Sequence, residues 1–281
     1  MPGVFAALRP QAVPLGMRVG KASYRSYSGA ASARANWEAK VMQQRAHYGV
    51  DAPGLVVVLL VLGSAATLLA IVGLARPSLA PASLGAGAAL LAALCYFYAA
   101  VMLRSSLVSK HRVRDRLVAA LALSGSERVL DAGCGLGLAL IGCAKQLTTG
   151  RAIGIDLWSR DLSGNRPEGT RANAAAEGVG DRVEVETGDI TRLPFADGAF
   201  DAVISMSVIH NIHPQDRRDQ ALRELMRVLK PGGRIAIFDL LNTSRYAEVL
   251  RRAGLDVRSL RRDRLWLLPC DSLLARKPEL S

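Results

Sequence analysis

From Leu55 to Ala75 the chain runs 21 residues without a charge (LVVVLLVLGSAATLLAIVGLA), and after Arg76 a second uncharged run extends from Pro77 to Leu103. As a helix at about 1.5 Å per residue, each run is about 30 Å long or more, enough to cross the hydrocarbon core of a bilayer. Buried core helices seldom run so far without a charge, so two in succession point to a transmembrane hairpin. Gly63, Gly73, Gly85 and Gly87 suit close packing of two helices in lipid. Pro77 and Pro81, in the short RPSLAP connection, break any single continuous helix.

Flanking charge orients such a hairpin. Residues 1–54 hold seven Lys/Arg against two acidic residues; just past the second run come Arg104, Lys110, Arg112, Arg114 and Arg116 against Asp115 alone. The turn carries only Arg76, so both ends are expected on the cytoplasmic side or its organellar equivalent. The formal net charge of +12 calls for an anionic partner. Much of it sits beside the spans, where anionic lipid accounts for it and nucleic acid is not required. The first 37 residues, with five Lys/Arg and no acid, read as a basic arm on anionic lipid. The same composition fits a transit peptide of mitochondrial or plastid type. Trp37, Val41 and Met42, within Ala33–Tyr48, sketch a weak interfacial helix. Four irregularly spaced cysteines exclude a disulfide-stapled module, and no metal-ligand spacing is present.

The expected organisation is a basic arm over 1–54, a two-helix hairpin over 55–103, and an enzyme domain over 104–281. In the last part short apolar runs alternate with amphipathic stretches, as in βα units around a parallel sheet. Strands are expected at Arg128–Asp131, Ala152–Asp156, Val183–Thr187, Ala202–Ser205 and Arg234–Phe238, with a closing hairpin at Val257–Leu260 and Ser272–Ala275. Helices are expected at His111–Leu123, Leu138–Gln146, Pro167–Glu177, Arg217–Leu229 and Ser244–Ala253.

The chemistry gathers at the strand ends. VLDAGCGLG delivers Asp131 and then Gly133, Gly135 and Gly137 into a helix. Glycines there permit positive φ and close approach of a ligand, and the helix start offers free N–H groups. A dinucleotide loop would place its last glycine at Leu138, so GxGxG suits a different cofactor better. Asp156, 19 residues beyond Gly137, ends the next strand, where a carboxylate can accept both ribose hydroxyls. Gly188 and Asp189 end the third, where an acceptor can take an adenine amino group. Each acid alone is equally well a helix cap or loop residue; three at successive strand ends build one crevice.

From about Arg116 to Pro278 the chain resembles the class I S-adenosylmethionine-dependent methyltransferases of the type 11 group. The resemblance lies in VLDAGCGLG, AIGIDLW, GDITRLPFADGAFDAVISMSVIHNI and ALRELMRVLKPGGRIAIFD. It implies a Rossmann-like α/β sheet of seven strands in the order 3-2-1-4-5-7-6, strand 7 antiparallel, preceded here by the two apolar helices. It implies Gly133, Gly135 and Gly137 around the methionine part of S-adenosylmethionine, with Asp131 at its ammonium. Asp156 would hold the ribose, Leu157 or Trp158 would lie against the adenine, and Asp189 with the Ile190 backbone would read its edge. Ser205 and Met206 would border the methionine.

Substrate-side candidates are His210, Asn211 and His213, in the segment after strand four, and Asp239 at the end of strand five. His210 or His213 is placed to take a proton from an oxygen or nitrogen nucleophile; each also has a bland role as a packed or capping residue. The long segment after Asp156 holds Asp161, Ser163 and Asn165, either contacts to cofactor or substrate or, the preferred reading, turn chemistry. Arg251, Arg252, Arg258, Arg261, Arg262 and Arg264 form a basic carboxyl-terminal stretch, solvated or docked on a membrane. The expected function is a membrane-anchored methyltransferase acting on a lipid-like or apolar small molecule. An NAD(P)-type oxidoreductase and an inactive membrane scaffold are the alternatives.

Overall fold

The structure is a computed structural model that describes residues 46–76, 82–159, 162–265 and 268–279. Most of the basic arm, Pro77, Pro81, Asp161 and the side chains of Arg261, Arg262 and Arg264 lie outside the described residues.

The apolar runs form helices α1 (Pro53–Ala75) and α2 (Ala82–Arg104). They meet along a seam of small residues at helical spacing: Gly63, Ala66, Ala70 and Gly73 on α1, and Gly85, Ala88, Ala92 and Ala99 on α2. The seam is close enough that a Cβ at Gly73 would stand 2.9 Å from the Gly85 Cα. Gly87, expected in this packing, meets nothing within 4 Å and faces away. The remaining surface of the pair is apolar and exposed, with Leu68 at 66% and Leu90 at 63%. A core helix of a soluble protein would bury those faces. By length and composition both helices suffice to cross a membrane.

The second helix does not end at Arg104. A π-helical turn, Ser105–Ser109, carries it into α3 (Lys110–Leu121), so Ala82–Leu121 is one helix of 40 residues. Beyond it, β1 (Arg128–Ala132), α4 (Leu138–Ala144), β2 (Arg151–Asp156), α5 (Pro167–Ala176), β3 (Val183–Thr187), β4 (Phe200–Met206), α6 (Gln215–Val228), β5 (Leu229–Asp239), α7 (Thr243–Arg252), β6 (Asp256–Leu265) and β7 (Leu268–Arg276) follow in order. The sheet runs β3-β2-β1-β4-β5-β7-β6. The first five strands pair in parallel, and β7 is antiparallel to both neighbours.

Residue alternation along the strands supplies a core on each face, because successive side chains of a strand point to opposite sides. Val129, Ala152, Ala202, Ile204, Ala236 and Phe238 pack with Val113, Leu117 and Leu121 of α3 and with α4. Leu130, Ile153, Ile155, Val203, Ile235 and Ile237 pack with Leu222 and Leu225 of α6 and with Tyr246 and Leu250 of α7. Both faces of the parallel strands are covered, and their carboxyl ends converge on the edge that carries the site.

Residues 46–51, immediately before α1, lie against this domain. Tyr48 is buried in the first core, and Asp51 forms an antiparallel bridge with Leu162. Residues 46–50 have no helical conformation, so the interfacial helix expected up to Tyr48 does not include its last residues.

Candidate functional site

At the carboxyl ends of β1, β2 and β3 lies a cavity of about 290 Å³, lined by Asp131, Gly133, Gly135, Asp156, Leu157, Asp189 and Ile190 among others. Strand register brings them together: Asp131 pairs with Gly154 across β1–β2, and Asp156 with Thr187 across β2–β3.

The glycine loop is held by backbone geometry. Gly133, Gly135 and Gly137 have φ of +82°, +50° and +83°, where a side chain is strained. The Gly133 and Cys134 amides donate to the Ile155 carbonyl at 2.8 and 3.1 Å, and Gly137 N donates to the Cys134 carbonyl at 2.8 Å. A Cβ on Gly133 would stand 2.4 Å from the Val208 side chain, so this glycine makes room for the chain after β4. Gly137 does not line the cavity; it is the turn into α4.

Asp156 staples the loop to β2. One oxygen accepts from Gly135 N at 2.8 Å, and the other from Trp158 N at 2.6 Å and Asn165 Nδ2 at 3.5 Å. Leu157 is exposed on the cavity wall, whereas Trp158 turns its indole N–H to Thr187 Oγ1 at 2.7 Å and does not line it. Asp189 accepts from Thr191 N at 2.8 Å and from Arg217 at 2.7 Å. Partial burial works to raise its carboxyl, but Thr191 and Arg217 outweigh this and hold it below the usual carboxylate range. Cys134 lines the cavity as a neutral thiol, since burial pushes it well up and the charges of Asp131 and Asp156 push further.

Asp131 differs from its neighbours. It is 1% exposed, and among the described residues neither oxygen has a hydrogen-bond partner. Burial pushes its carboxyl up from 3.8 to about 7; the nearby Leu140 amide opposes this and the charge of Asp156 adds to it. A buried carboxylate without a partner is costly unless a ligand supplies one. A cation in the cavity would do so.

Besides Gly137, three expectations about the site do not match its geometry. Ser205 lies beneath the cavity rather than in its wall, its hydroxyl donating to the Ala132 carbonyl at 2.9 Å and tying β4 to β1. Its neighbour Met206 does line the wall. His213 is exposed and outside the cavity lining. His210 is also outside it, but sits between Val208, Asn211 and Ile212, which line it. The His210 ring pairs through Nδ1 with Asp239, and its amide donates to the same carboxylate at 2.9 Å. Asp239 is buried and also accepts from Leu240 N at 2.8 Å and Tyr246 OH at 3.2 Å.

Sequence reasoning missed Tyr48, Asp51 and Lys110, all of which line the cavity. Lys110 is the least expected. Its ammonium is buried and donates to the Tyr48 and Gly49 carbonyls at 2.8 and 2.9 Å and to Asp51 at 3.3 Å. Burial lowers its pKa, and Asp51 works against that.

Residues 130–237 match the family described as "Methyltransferase domain". This segment is therefore similar to methyltransferase domains. Methyltransferase GfsG of Streptomyces halstedii is 37% identical over 130 residues, which is 46% of this chain and 44% of that protein. The sterol 4-C-methyltransferase strm-1 of Caenorhabditis elegans is 32% identical over 129 residues, 45% of this chain and 35% of that one. The chain thus spans less than half the length of these curated relatives. Among solved structures, the [4+2]-cyclase SpnF shares the fold, with TM-score 0.50 and 21% identity over 60% of this chain and 82% of that one. A methyltransferase domain of this kind takes S-adenosylmethionine, and the residues present fit it. The unpartnered Asp131 carboxylate suits the cofactor's ammonium, and the acids at the next two strand ends line the same cavity.

Proposed function

We propose that the chain is a membrane-anchored methyltransferase that moves a methyl group from S-adenosylmethionine to a lipid-like or apolar small molecule. One observation carries the membrane half of this reading. The exposed apolar surface of the hairpin continues past Arg104 through Leu107 and Val108, and Lys110, two residues on, lines the cavity. At about 1.5 Å per helical residue, the cavity wall is within one helical turn of the apolar surface. An acceptor partitioned into the bilayer would reach that wall at high local concentration. A sterol is named as acceptor in one relative, which agrees with this class.

When bound, the cofactor supplies a methyl group on a sulfonium. The residues of this chain do the rest. Asp131 would hold the ammonium end and Asp156 the ribose, while Asp189 and the Ile190 backbone would take the adenine edge. Gly133 and Gly135 let the backbone approach closely. Asp239 fixes the His210 ring through Nδ1 and leaves Nε2 to take the proton of an acceptor O–H or N–H as the new bond forms. Asp239 is a positioning residue in this scheme.

The test uses the full chain in liposomes made with a total lipid extract and methyl-labelled S-adenosylmethionine. Label in the organic phase supports the reading. Label only in water-soluble products would overturn the acceptor class, and extraction of the chain by alkaline carbonate would overturn the anchor.

A further inference from the structure

Residues 46–51, ahead of α1, form a strap along the cavity, whose wall Tyr48 and Asp51 help to line. His47 N donates to Asn173 Oδ1 at 2.9 Å, and Asn173 Nδ2 donates back to the His47 carbonyl at 2.9 Å. Val50 N donates to Ser163 Oγ at 2.9 Å, and Gly49 passes so near the Ser163 carbonyl that a Cβ would stand 2.8 Å from it. The strap thereby joins the segment after Asp156, whose Leu162 also packs over Gly135. Lys110 directs its three ammonium hydrogen bonds at this strap, so its charge holds the strap rather than standing free for a ligand. Ser106 completes the closure, accepting from Asp51 N and donating to Asp51 Oδ2, each at 3.1 Å.

We propose that residues 46–51 are a lid over the cofactor pocket, latched by Lys110, and that the hairpin holds the two halves of the latch together. This rests on the reading of the cavity as the S-adenosylmethionine site. Asp51 stands two residues before α1, and Lys110 follows α2 through the π-helical turn without a break in the helix. Packing of α1 on α2 therefore sets the distance between Asp51 and Lys110. Exchange of spent cofactor for fresh requires the lid to lift, so the latch sets the release rate. A buried ammonium with three oxygen partners suits this use: removing it leaves two carbonyls and the Asp51 Oδ1 without the Lys110 donor, and the lid loses its closed preference.

The experiment measures association and dissociation of S-adenosylhomocysteine with the full chain in phosphatidylcholine–phosphatidylglycerol nanodiscs. Lys110→Met is expected to speed both entry and release about tenfold or more, the loss of at least one charged hydrogen bond. A purely structural lysine would lower the melting temperature and leave both rates of the folded fraction unchanged. The second variant does not depend on losing a buried charge. Val50→Cys/Ser163→Cys joins strap and loop; oxidation is expected to slow release about tenfold or more, and reductant to restore it in the same sample. Release rates that stay within about twofold in both variants overturn the lid. If the parent chain itself binds no S-adenosylhomocysteine, the cofactor reading fails and the lid falls with it; binding without a rate response removes the lid alone.

Discussion

Replacing Asp131 by Asn should move stability and cofactor binding in opposite directions. The carboxyl is buried without a partner and titrates at about 7 instead of 3.8. Between those values the folded chain keeps a proton that the unfolded chain has released. Stability from this group is therefore full below pH 3.8 and is lost as pH rises through about 7. The interval corresponds to about 4 kcal/mol. Asn keeps the shape and never ionises, so the ligand-free variant should be more stable than the parent at pH 8, by up to about 4 kcal/mol, with the difference shrinking as pH falls toward 4. Binding should weaken, because the cofactor's ammonium loses a charge-assisted partner of about 1.5–3 kcal/mol, roughly ten- to a hundredfold in Kd. For the parent, only about one-tenth of the free protein carries the charge at pH 6, so its Kd should be about tenfold weaker there than at pH 8, while that of the variant should be flat. Thermal unfolding of the full chain in detergent, with calorimetric titration of S-adenosylhomocysteine at pH 6, 7 and 8, reads both quantities. A variant that melts below the parent at pH 8, or a parent Kd unchanged between pH 6 and 8, would refute the argument.

Asp156→Ala should weaken S-adenosylhomocysteine binding roughly tenfold or more, since it removes the ribose acceptor and frees the Gly135 and Trp158 amides; equal affinity in calorimetry would remove Asp156 from the site. His210→Gln should lower turnover by about 10²–10⁴-fold with cofactor affinity unchanged, and Asp239→Asn, which weakens the hold on the ring, should lower it as well; unchanged turnover in the first would take His210 out of the mechanism. Gly85→Val, whose Cβ would stand 3.0 Å from the Leu74 amide nitrogen, should destabilise the hairpin by about 1–3 kcal/mol, whereas Gly87→Val, with nothing within 4 Å, should not. Equal melting temperatures for the two would mean the seam is not where α1 and α2 hold together.

The sheet was readable because most central strands are short apolar runs, three of them reaching Asp131, Asp156 and Asp239 at or next to their last residue, and because two-residue alternation is a local property of the chain. Where chemistry and pattern part, the reading slipped. The strand expected from Arg234 begins earlier, at Leu229, where the preceding helix is expected to end, and lies beside Phe200 before a register shift. The arginine-rich β6 read as a short strand although its pairing with β7 runs from Asp256. At the site, Asp131, Asp156 and Asp189 were legible because strand ends converge in this topology. Ser205 was not, because its distance from the cavity depends on which face of β4 it occupies and on the carbonyl it meets. His210 and His213 are equivalent by composition; the short turn at Ile209–Asn211 sends one to Asp239 and the other outward. The strap was invisible to local pattern. Its partners lie 55 to 129 residues away, and Lys110 looks like one more flanking charge until the fold buries it.

The continuous helix from Ala82 to Leu121 has a consequence for the acceptor. A flexible linker would let the domain sample many heights above a bilayer. Here the link is helical, and α3 is fixed to the sheet by Val113, Leu117 and Leu121. Under the proposed membrane anchoring, hairpin and sheet move as one lever and the cavity stands at one depth, near Leu107 and Val108 at the end of the exposed apolar surface. An acceptor must bring its nucleophile to that depth. In liposomes, single-hydroxyl lipids of one chain length should be methylated when the hydroxyl lies at the headgroup level and not when it lies about 10 Å deeper, near mid-leaflet. Dissolving the same lipids in detergent should bring their rates together, because a micelle imposes no depth. Equal rates in liposomes would mean that the lever does not select by depth, and that the hairpin serves only to hold the enzyme at the membrane.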